Sequence, residues 1–397
     1  MITIQYLEPN AETTAVSPQK AQSKLQAAFD RLPIDAVLLG WSLPEALVTA
    51  VRTTTHANNA KLYRWHPFLT GDGTFMPRPE WQTVGVGGER VPGFRGMPEF
   101  TFVCPNKLIV HDNILNHLQT LSQNGLYDGI FLDRMRYPSP AVDPGCWLAC
   151  FCDDCHQKAA EEGLDITSVR QELNETLTQS NGARYILQEL GGFQKPVSSK
   201  LSEFLAFRSR TITNFIAEAT TIIRSADLEV GLDCFAPSLT HMVGQDLVAL
   251  SALGDWTKVM TYAHTLGPAG LPFELLELAD WLMAHGAGEQ QSLTWLSESL
   301  RIPLPLGLDT LRNPGLSAIA LQAELSRGKT ITSTCLLAGI ELIKLEGITH
   351  LSPAQIKCDL TALHDIQVDG LSLSWDLWHM PLEHLDLVAE IFGSRQV

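Results

Sequence analysis

The chain has 397 residues, which exceeds the usual length of one domain, but some single folds reach this size and length alone does not require two domains. Hydrophobic residues make up 45% of the chain and charged residues only 18%, which indicates a large buried core and excludes a disordered protein. The net charge of −16 disfavours nucleic acid and anionic membrane surfaces as partners.

The amino-terminal stretch MITIQYLEPN does not combine a basic segment with a following apolar segment, as a secretory signal does. No uninterrupted apolar run reaches the roughly 18 residues that a membrane span needs. We therefore expect a cytoplasmic protein without a membrane partner. The sequence leaves its oligomeric state open.

Short aliphatic runs alternate with helical stretches, which is typical of parallel strands that are each covered by the next helix. The predicted strands, in chain order, are residues 36–41, 61–66, 100–104, 128–134, 229–235, 257–264, 334–342 and 370–375. The predicted helices include residues 19–32, 108–122, 199–224, 273–285 and 382–392. Eight strands predict one (β/α)8 TIM barrel over residues 1–397, with a doubly wound open sheet as the alternative.

Two connections are longer than a crossover helix requires. Residues 137–200 follow the fourth predicted strand, and residues 266–332 follow the sixth. Long insertions after barrel strands usually carry function, so we expect both to contribute to a site.

Four predicted strands end in an acidic residue that alternation directs into the barrel: Asp133, Asp233, Glu341 and Asp376. In this fold, chemistry is done at the carboxyl ends of the strands. Two carboxyl groups that face one bond can serve as general acid and as nucleophile or base, which is what cleavage of a glycosidic bond requires. The alternative for each acid alone is a structural role, as the partner of a cation such as Arg134, Arg136 or Lys258 or as a helix cap.

Aromatic residues and histidines cluster at the same strand ends. Flat rings beside hydrogen-bonding groups suit the apolar faces and hydroxyl edges of sugars. A carbohydrate substrate is therefore predicted, with the following candidate binding residues: Trp41, Trp65, His66, Arg136, Tyr262, His264, Trp375, Asp376 and His379.

The stretch YDGIFLDRMRYP, from Tyr127 to Pro138, resembles the fourth-strand signature DGIxxDxxRYP of a glycoside-hydrolase-like TIM-barrel family. The resemblance matches Asp133 and Arg136 to the conserved acid and arginine of that signature. It implies a glycoside hydrolase in which Asp133 is the nucleophile, Glu341 or Asp233 the acid, and Asp376 a ligand of sugar hydroxyls. The reverse assignment, with Asp133 as acid and Glu341 as nucleophile, also occurs in such barrels.

Two other functions stay open. A barrel of this kind can bind sugars without cleaving them, and a sugar isomerase or lyase could use His264 and Tyr262 as acid and base. No catalytic cofactor is expected, because the HxH pair that a metal-dependent barrel hydrolase needs on its first strand is replaced by Gly40-Trp41-Ser42.

Four cysteines, Cys146, Cys150, Cys152 and Cys155, lie within ten residues after the fourth-strand signature. Four thiols so close together are able to bind a structural zinc ion, although zinc sites more often use two separated pairs. Buried reduced thiols are the alternative, and a disulfide is disfavoured in the cytosol. Similar CxCxxC segments follow the RYP motif in the family that the chain resembles, which implies that the segment braces a loop.

Overall fold

The computed structural model describes residues 1–71, 77–94, 97–142, 147–193, 199–349 and 351–393. Eight parallel strands close into a barrel in the order of the chain. They are β1 (Ile2–Tyr6), β2 (Ala36–Leu39), β3 (Lys61–Pro67), β4 (Gly129–Asp133), β5 (Glu229–Cys234), β6 (Trp256–Met260), β7 (Cys335–Glu341) and β8 (Gly370–Ser374). The predicted TIM barrel is confirmed, and the open sheet is excluded because β1 pairs with both β2 and β8.

Helices cover the barrel. They are α1 (Pro18–Phe29), α2 (Glu45–Ala57), α3 (Leu108–Ser122), α4 (Asp153–Glu161), α5 (Ile166–Leu177), α6 (Gly182–Gly191), α7 (Ser199–Arg224), α8 (Leu247–Ser251), α9 (Leu271–Ala284), α10 (Glu289–Leu300), α11 (Leu308–Arg312), α12 (Ala318–Ile331), α13 (Pro353–Asp365) and α14 (Leu382–Phe392). In the part of the chain that the structure describes, none of them combines the length and apolarity needed to cross a bilayer.

One predicted strand is wrong, and one barrel strand was missed. Residues 100–104 are rich in strand-forming side chains, but Phe100 ends a 3-10 helix and Val103 forms only an isolated antiparallel bridge with Gln82. The first barrel strand is Ile2–Tyr6 instead. The omission and the extra strand cancel in the count, so Asp133 still ends the fourth strand.

Side chains alternate between the barrel interior and the helical layer as predicted. In β5, Val230, Leu232 and Cys234 point outward into the main core. Gly231 points inward, where an added Cβ would lie 2.3 Å from the ring of Trp256. The barrel interior is filled by a second apolar cluster of Ala36, Leu38, Trp41, Tyr63, Trp65, Phe131, Trp256 and Leu337. This packing closes the barrel below the carboxyl ends of the strands.

The long connections after β3 and β4 lie against each other above the barrel. An isolated bridge joins Gly85 to Ala149, and the backbone N–H of Phe151 donates to the carbonyl oxygen of Val84 at 2.8 Å. The same β4–β5 connection carries α4, α5 and α6. These two connections therefore form one wall around the carboxyl ends of the strands.

Candidate active site

A small cavity, partly open to solvent, lies at the carboxyl ends of the strands. Six of the residues that the sequence singled out line it: Trp65, Asp133, Arg136, Asp233, Tyr262 and Trp375. They come from β3, β4, β5 and the segments that follow β4, β6 and β8. The barrel thus brings together half of the predicted catalytic and binding residues at one site.

Asp133 is held at the end of β4 by two hydrogen bonds. Its Oδ2 accepts from the indole Nε1 of Trp65 at 2.8 Å, and its Oδ1 accepts from the backbone N–H of Arg134 at 2.5 Å. The Nε atom of Arg134 lies 3.9 Å from the same Oδ2. These donors fix the orientation of the carboxylate.

Asp233 stands beside Asp133 on the neighbouring strand. The register pairs Leu132 with Leu232, so the two aspartates that follow lie at one level of strands separated by about 4.8 Å. Oδ2 of Asp233 forms a buried ion pair with Lys258, whereas Oδ1 is buried and has no hydrogen-bond partner among the described residues. Burial raises the pKa of Asp233 to about 7, against the opposing effect of Lys258, and the charge of Asp133 adds to the rise.

Lys258 places a fixed positive charge below the two acids. Its Nζ donates to Oδ2 of Asp233 at 2.9 Å and to Oε1 of Gln5 at 3.0 Å. Burial disfavours the ammonium, but Asp233 and Tyr262 outweigh burial and leave the pKa of Lys258 above its usual value. The side chain is therefore a cation at neutral pH.

Glu8 is a third acid at the cavity, and the sequence analysis missed it. Its Oε1 lies 3.0 Å from Nη2 of Arg134, whose Nη1 donates to the carbonyl oxygen of Glu99 at 2.8 Å. Burial raises the pKa of Glu8, partly offset by Arg134. Glu8 and the cavity residue Gln5 belong to the missed strand β1 and the residues after it. The period-2 alternation in ITIQY was the signal that could have identified them.

Aromatic rings form much of the cavity wall. The rings of Tyr262 and Trp375 lie 6.1 Å apart, and the Trp65 ring is packed edge-on by Trp41 at 5.3 Å. Trp41 was predicted to bind substrate, but it supports Trp65 from behind and does not itself line the cavity. The arrangement gives a small pocket with apolar faces and several charged groups.

Arg136 is clamped between two aromatic rings. Its guanidinium carbon lies 4.6 Å from the ring centre of Phe102 and 4.3 Å from that of Phe235, and its Nη1 donates to the carbonyl oxygen of Tyr137. Burial lowers the pKa of Arg136 to about 10, so the group remains charged at neutral pH. Its position in the cavity wall agrees with the predicted binding role.

Glu341 does not face this cavity, contrary to the expectation from alternation. Its Oε1 accepts from the backbone N–H of His264 at 2.5 Å, and its side chain lines a separate small cavity beside α12 and α13 together with Asp359. Burial raises the pKa of Glu341 to about 7, against His264. At the last residue of a strand the pleat no longer fixes the side chain, and here the donor amide lies on the outer side.

Asp376 and His379 also lie outside the cavity lining. Oδ1 of Asp376 accepts from the backbone N–H groups of Leu7 and Trp378, both at 2.8 Å, and Oδ2 accepts from that of Glu8 at 3.0 Å. The bonds from Leu7 and Glu8 join the end of β8 to the end of β1, whereas the bond from Trp378 caps the 3-10 helix Leu377–His379. Asp376 therefore stabilises the closure of the barrel rim, and His379 ends the 3-10 helix next to it.

The histidines predicted to bind substrate face the helical layer. The ring of His66 lies 5.5 Å from that of His117 on α3. His264 uses both ring nitrogens elsewhere, Nδ1 with the carbonyl oxygen of Pro314 at 2.6 Å and Nε2 with Asp359 at 2.8 Å. Neither ring lines the cavity.

The cysteine cluster differs from the predicted set by one member. Cys150, Cys152 and Cys155 meet, but their fourth partner is Cys104 from the connection between β3 and β4. Cys146 lies outside the described residues. Sequence spacing could not identify Cys104, because 46 residues separate it from Cys150 and only the packing of the two connections joins them.

Neither a protein-family model nor a curated protein matches the sequence. Among solved structures, the chain is similar to the glycoside hydrolase domain of PgaB (BpsB) from Bordetella bronchiseptica, with a TM-score of 0.56 and 14% identity, covering 98% of this chain and 95% of that one. It is also similar to the catalytic domain of a Paenibacillus polymyxa β-amylase, with a TM-score of 0.54 and 10% identity over 99% and 98% of the two chains. A class V chitinase from Pseudomonas fluorescens Pf-5 gives a TM-score of 0.51 and 11% identity over 98% and 99%. At these identities the likeness establishes the fold alone, a closed barrel of eight parallel strands.

Proposed function

We propose that the chain is a glycoside hydrolase and that Asp133 and Asp233 are its two catalytic carboxyl groups. The observation that carries the proposal is their placement at one level of two neighbouring strands, both facing a cavity walled by aromatic rings. The fold shared with the catalytic barrels of glycosidases supports the same class of reaction.

The environments of the two acids suggest different roles. Asp233 has a pKa raised to about 7 and one oxygen without a partner in the described structure, which suits a general acid that protonates the leaving glycosidic oxygen. Asp133 accepts two hydrogen bonds and lies near Arg134, which holds its carboxylate in one orientation at the cavity. It would act as the nucleophile at the anomeric carbon or as the base that deprotonates the attacking water. In either case water supplies the hydroxyl group of one product and the proton that restores Asp233.

The cavity wall suits a carbohydrate. The rings of Trp65, Tyr262 and Trp375 offer flat apolar faces for the C–H faces of a sugar ring, and Arg136 offers donors for its hydroxyl groups. A sugar isomerase or lyase that uses His264 receives no support, because both nitrogens of that ring are engaged away from the cavity.

The test is turnover of a panel of aryl glycosides and oligosaccharides by the full chain, with product analysis in ¹⁸O-labelled water. Hydrolysis places one labelled oxygen in the product, whereas isomerisation places none. We expect Asp133→Asn and Asp233→Asn each to lower kcat by at least about a thousandfold, since each removes a group that acts in the transition state.

Glu341→Gln is the matched control. It also neutralises a buried strand-end acid, but one that lies outside the cavity, and we expect kcat to stay within a few-fold of the unsubstituted protein. Binding of sugars without turnover across the panel would support a non-catalytic barrel instead. Full activity of both aspartate variants, or loss of activity only in Glu341→Gln, would overturn the assignment.

A further inference from the structure

Four buried cysteines from two different connections converge above the barrel. Their Sγ atoms all lie within 4.8 Å of one another, with 3.4 Å between Cys104 and Cys155 and 3.5 Å between Cys104 and Cys152. In a tetrahedral zinc site, Zn–S bonds of about 2.3 Å place the sulfur atoms about 3.8 Å apart. The four thiols therefore already have the spacing of a mononuclear site, with three ligands from the β4–β5 connection and Cys104 from the β3–β4 connection.

Hydrogen-bond donors surround the sulfur atoms. The backbone N–H of Val84 donates to Cys150 Sγ and the side-chain amide of Asn106 donates to Cys155 Sγ, both at 3.3 Å. Such N–H donors are the usual outer partners of metal-bound thiolates, whose negative charge they stabilise. Neutral thiols are weak acceptors and gain little from them.

A buried arginine beside the cluster lacks a counter-charge. Arg208 on α7 is fully buried, and its Nε and Nη2 have no hydrogen-bond partner in the described ranges. Its Nη1 donates to the carbonyl oxygen of Met242, and no carboxylate of the described residues pairs with it. Tyr137, Cys150 and Cys155 are the titratable groups near it, and its guanidinium carbon lies 4.7 Å from the centre of the Tyr137 ring.

A buried cation without a partner is costly, and the state of the thiols decides whether Arg208 has one. Four neutral thiols, or two disulfides, carry no charge. Four thiolates on one divalent zinc ion carry a net charge of −2, because binding of Zn²⁺ releases four protons to solvent. The metal-bound state therefore supplies a doubly negative counter-charge for the guanidinium.

We propose that Cys104, Cys150, Cys152 and Cys155 bind one structural zinc ion that ties the β3–β4 connection to the β4–β5 connection. The carbonyl oxygen of Glu99 and the ring of Phe100, which contact Arg134 at the cavity, lie a few residues before Cys104. The zinc ion therefore holds the cavity wall from outside and takes no part in the chemistry. This inference does not depend on the proposed hydrolase activity.

The first test is the metal content of the purified full chain by inductively coupled plasma mass spectrometry. We expect one zinc per chain. When a mercurial reagent titrates the thiols, this zinc should be released and detected by a chromogenic chelator. Protein produced with cobalt in place of zinc should show the intense visible absorption of tetrahedral cobalt bound to thiolates. These measurements use the unsubstituted protein and need no active enzyme.

Cysteine variants assign the ligands. Cys104→Ser and Cys152→Ser should each reduce the zinc content by about tenfold or more, because a thiolate ligand is lost. Cys234→Ser is the matched control, since Cys234 is also buried but lies on β5 outside the cluster, and it should retain one zinc per chain. Any one of four results would overturn the proposal. They are zinc-free protein with four titratable thiols, stoichiometric iron in place of zinc, disulfides found by mass spectrometry, and full zinc content in Cys104→Ser.

Discussion

The Nζ atom of Lys258 lies 2.9 Å from Oδ2 of Asp233, and both side chains are buried inside the barrel. The register sets this pair, because Asp233 on β5 stands directly opposite Lys258 on β6. The ion pair uses only one carboxylate oxygen of Asp233. Asp233 is therefore held in place by a cation through one oxygen, while its other oxygen has no hydrogen-bond partner among the described residues.

This pair predicts the pH dependence of turnover. If Asp233 is the general acid it must be protonated, and because burial raises its pKa to about 7, kcat/KM should fall as the pH rises through about 7. Lys258→Met removes the cation that favours ionisation, so the pKa of Asp233 should rise and the alkaline limb should move to higher pH. The measurement is the pH profile of kcat/KM for both proteins.

Lys61→Met is the control for that shift. Lys61 forms an ion pair with Glu229 at the opposite ends of their strands from the cavity, and its loss should leave the alkaline limb in place. A limb that stays near pH 7 in Lys258→Met would contradict the role of Asp233 as the titrating acid.

The indole of Trp65 is expected to position Asp133. Trp65→Phe keeps an aromatic ring in the cavity wall but removes the Nε1–H that donates to Oδ2. A hydrogen bond to a charged acceptor contributes about 1.5–3 kcal/mol, so kcat should fall by about 10–100-fold while KM changes less. Trp41→Phe alters a ring behind Trp65, and its steady-state kcat and KM should stay within a few-fold of the values of the unsubstituted protein. Equal losses in both variants would indicate a packing effect only.

His264 and Asp359 should make stability depend on pH. Burial disfavours the imidazolium, but the hydrogen bond to Asp359 and the charge of Glu341 outweigh it and raise the pKa of His264 to about 9. Because the folded-state pKa lies above the unfolded value, the stabilisation is complete below about pH 6.5 and is lost as the pH rises through about 9. Asp359→Asn should therefore lower the free energy of unfolding at pH 6, by at most roughly 3 kcal/mol, and much less at pH 10.

Urea denaturation at both pH values measures this difference. Asp309→Asn removes a fully exposed acid that pairs with Arg312, and it should change the stability little at either pH. If Asp359→Asn lowers the free energy of unfolding by the same amount at pH 6 and pH 10, protonation of His264 is not the cause of the lost stability.

Asp376 is expected to stabilise the closure of the barrel. The two carboxylate oxygens of Asp376 now accept from three backbone N–H groups. In Asp376→Asn only one acceptor oxygen remains, and the NH2 group of the asparagine would face one of those N–H donors. Burial raises the pKa of Asp376 to about 7, so its contribution to stability is largest at low pH and is lost as the pH rises through about 7. We expect a loss of about 1–3 kcal/mol in urea denaturation at pH 5 and a smaller loss at pH 8. Asp365→Asn, at the exposed end of α13, is the control, and equal stability of the two variants would contradict the expectation.

Alternation within the strands determined much of this protein. Period-2 patterns place Phe131, Asp133 and Asp233 inside the barrel, because successive side chains of a strand must point to opposite faces. The count of eight strands, each covered by helices, predicted the closed barrel, and alternation placed Asp133 and Asp233 at its cavity. Strand β1 was not predicted, although ITIQY shows the same alternation.

Tertiary structure decided what local pattern could not. The side chain of Glu341 leaves the barrel, where the backbone N–H of His264 donates to it, and Asp376 accepts from the backbone N–H groups of Leu7 and Glu8 just after β1. Cys104 joins the other three cysteines only because two long connections pack together. Alternation acts between adjacent residues of one strand, whereas these contacts join segments far apart in the chain, and only the folded backbone fixes their distances.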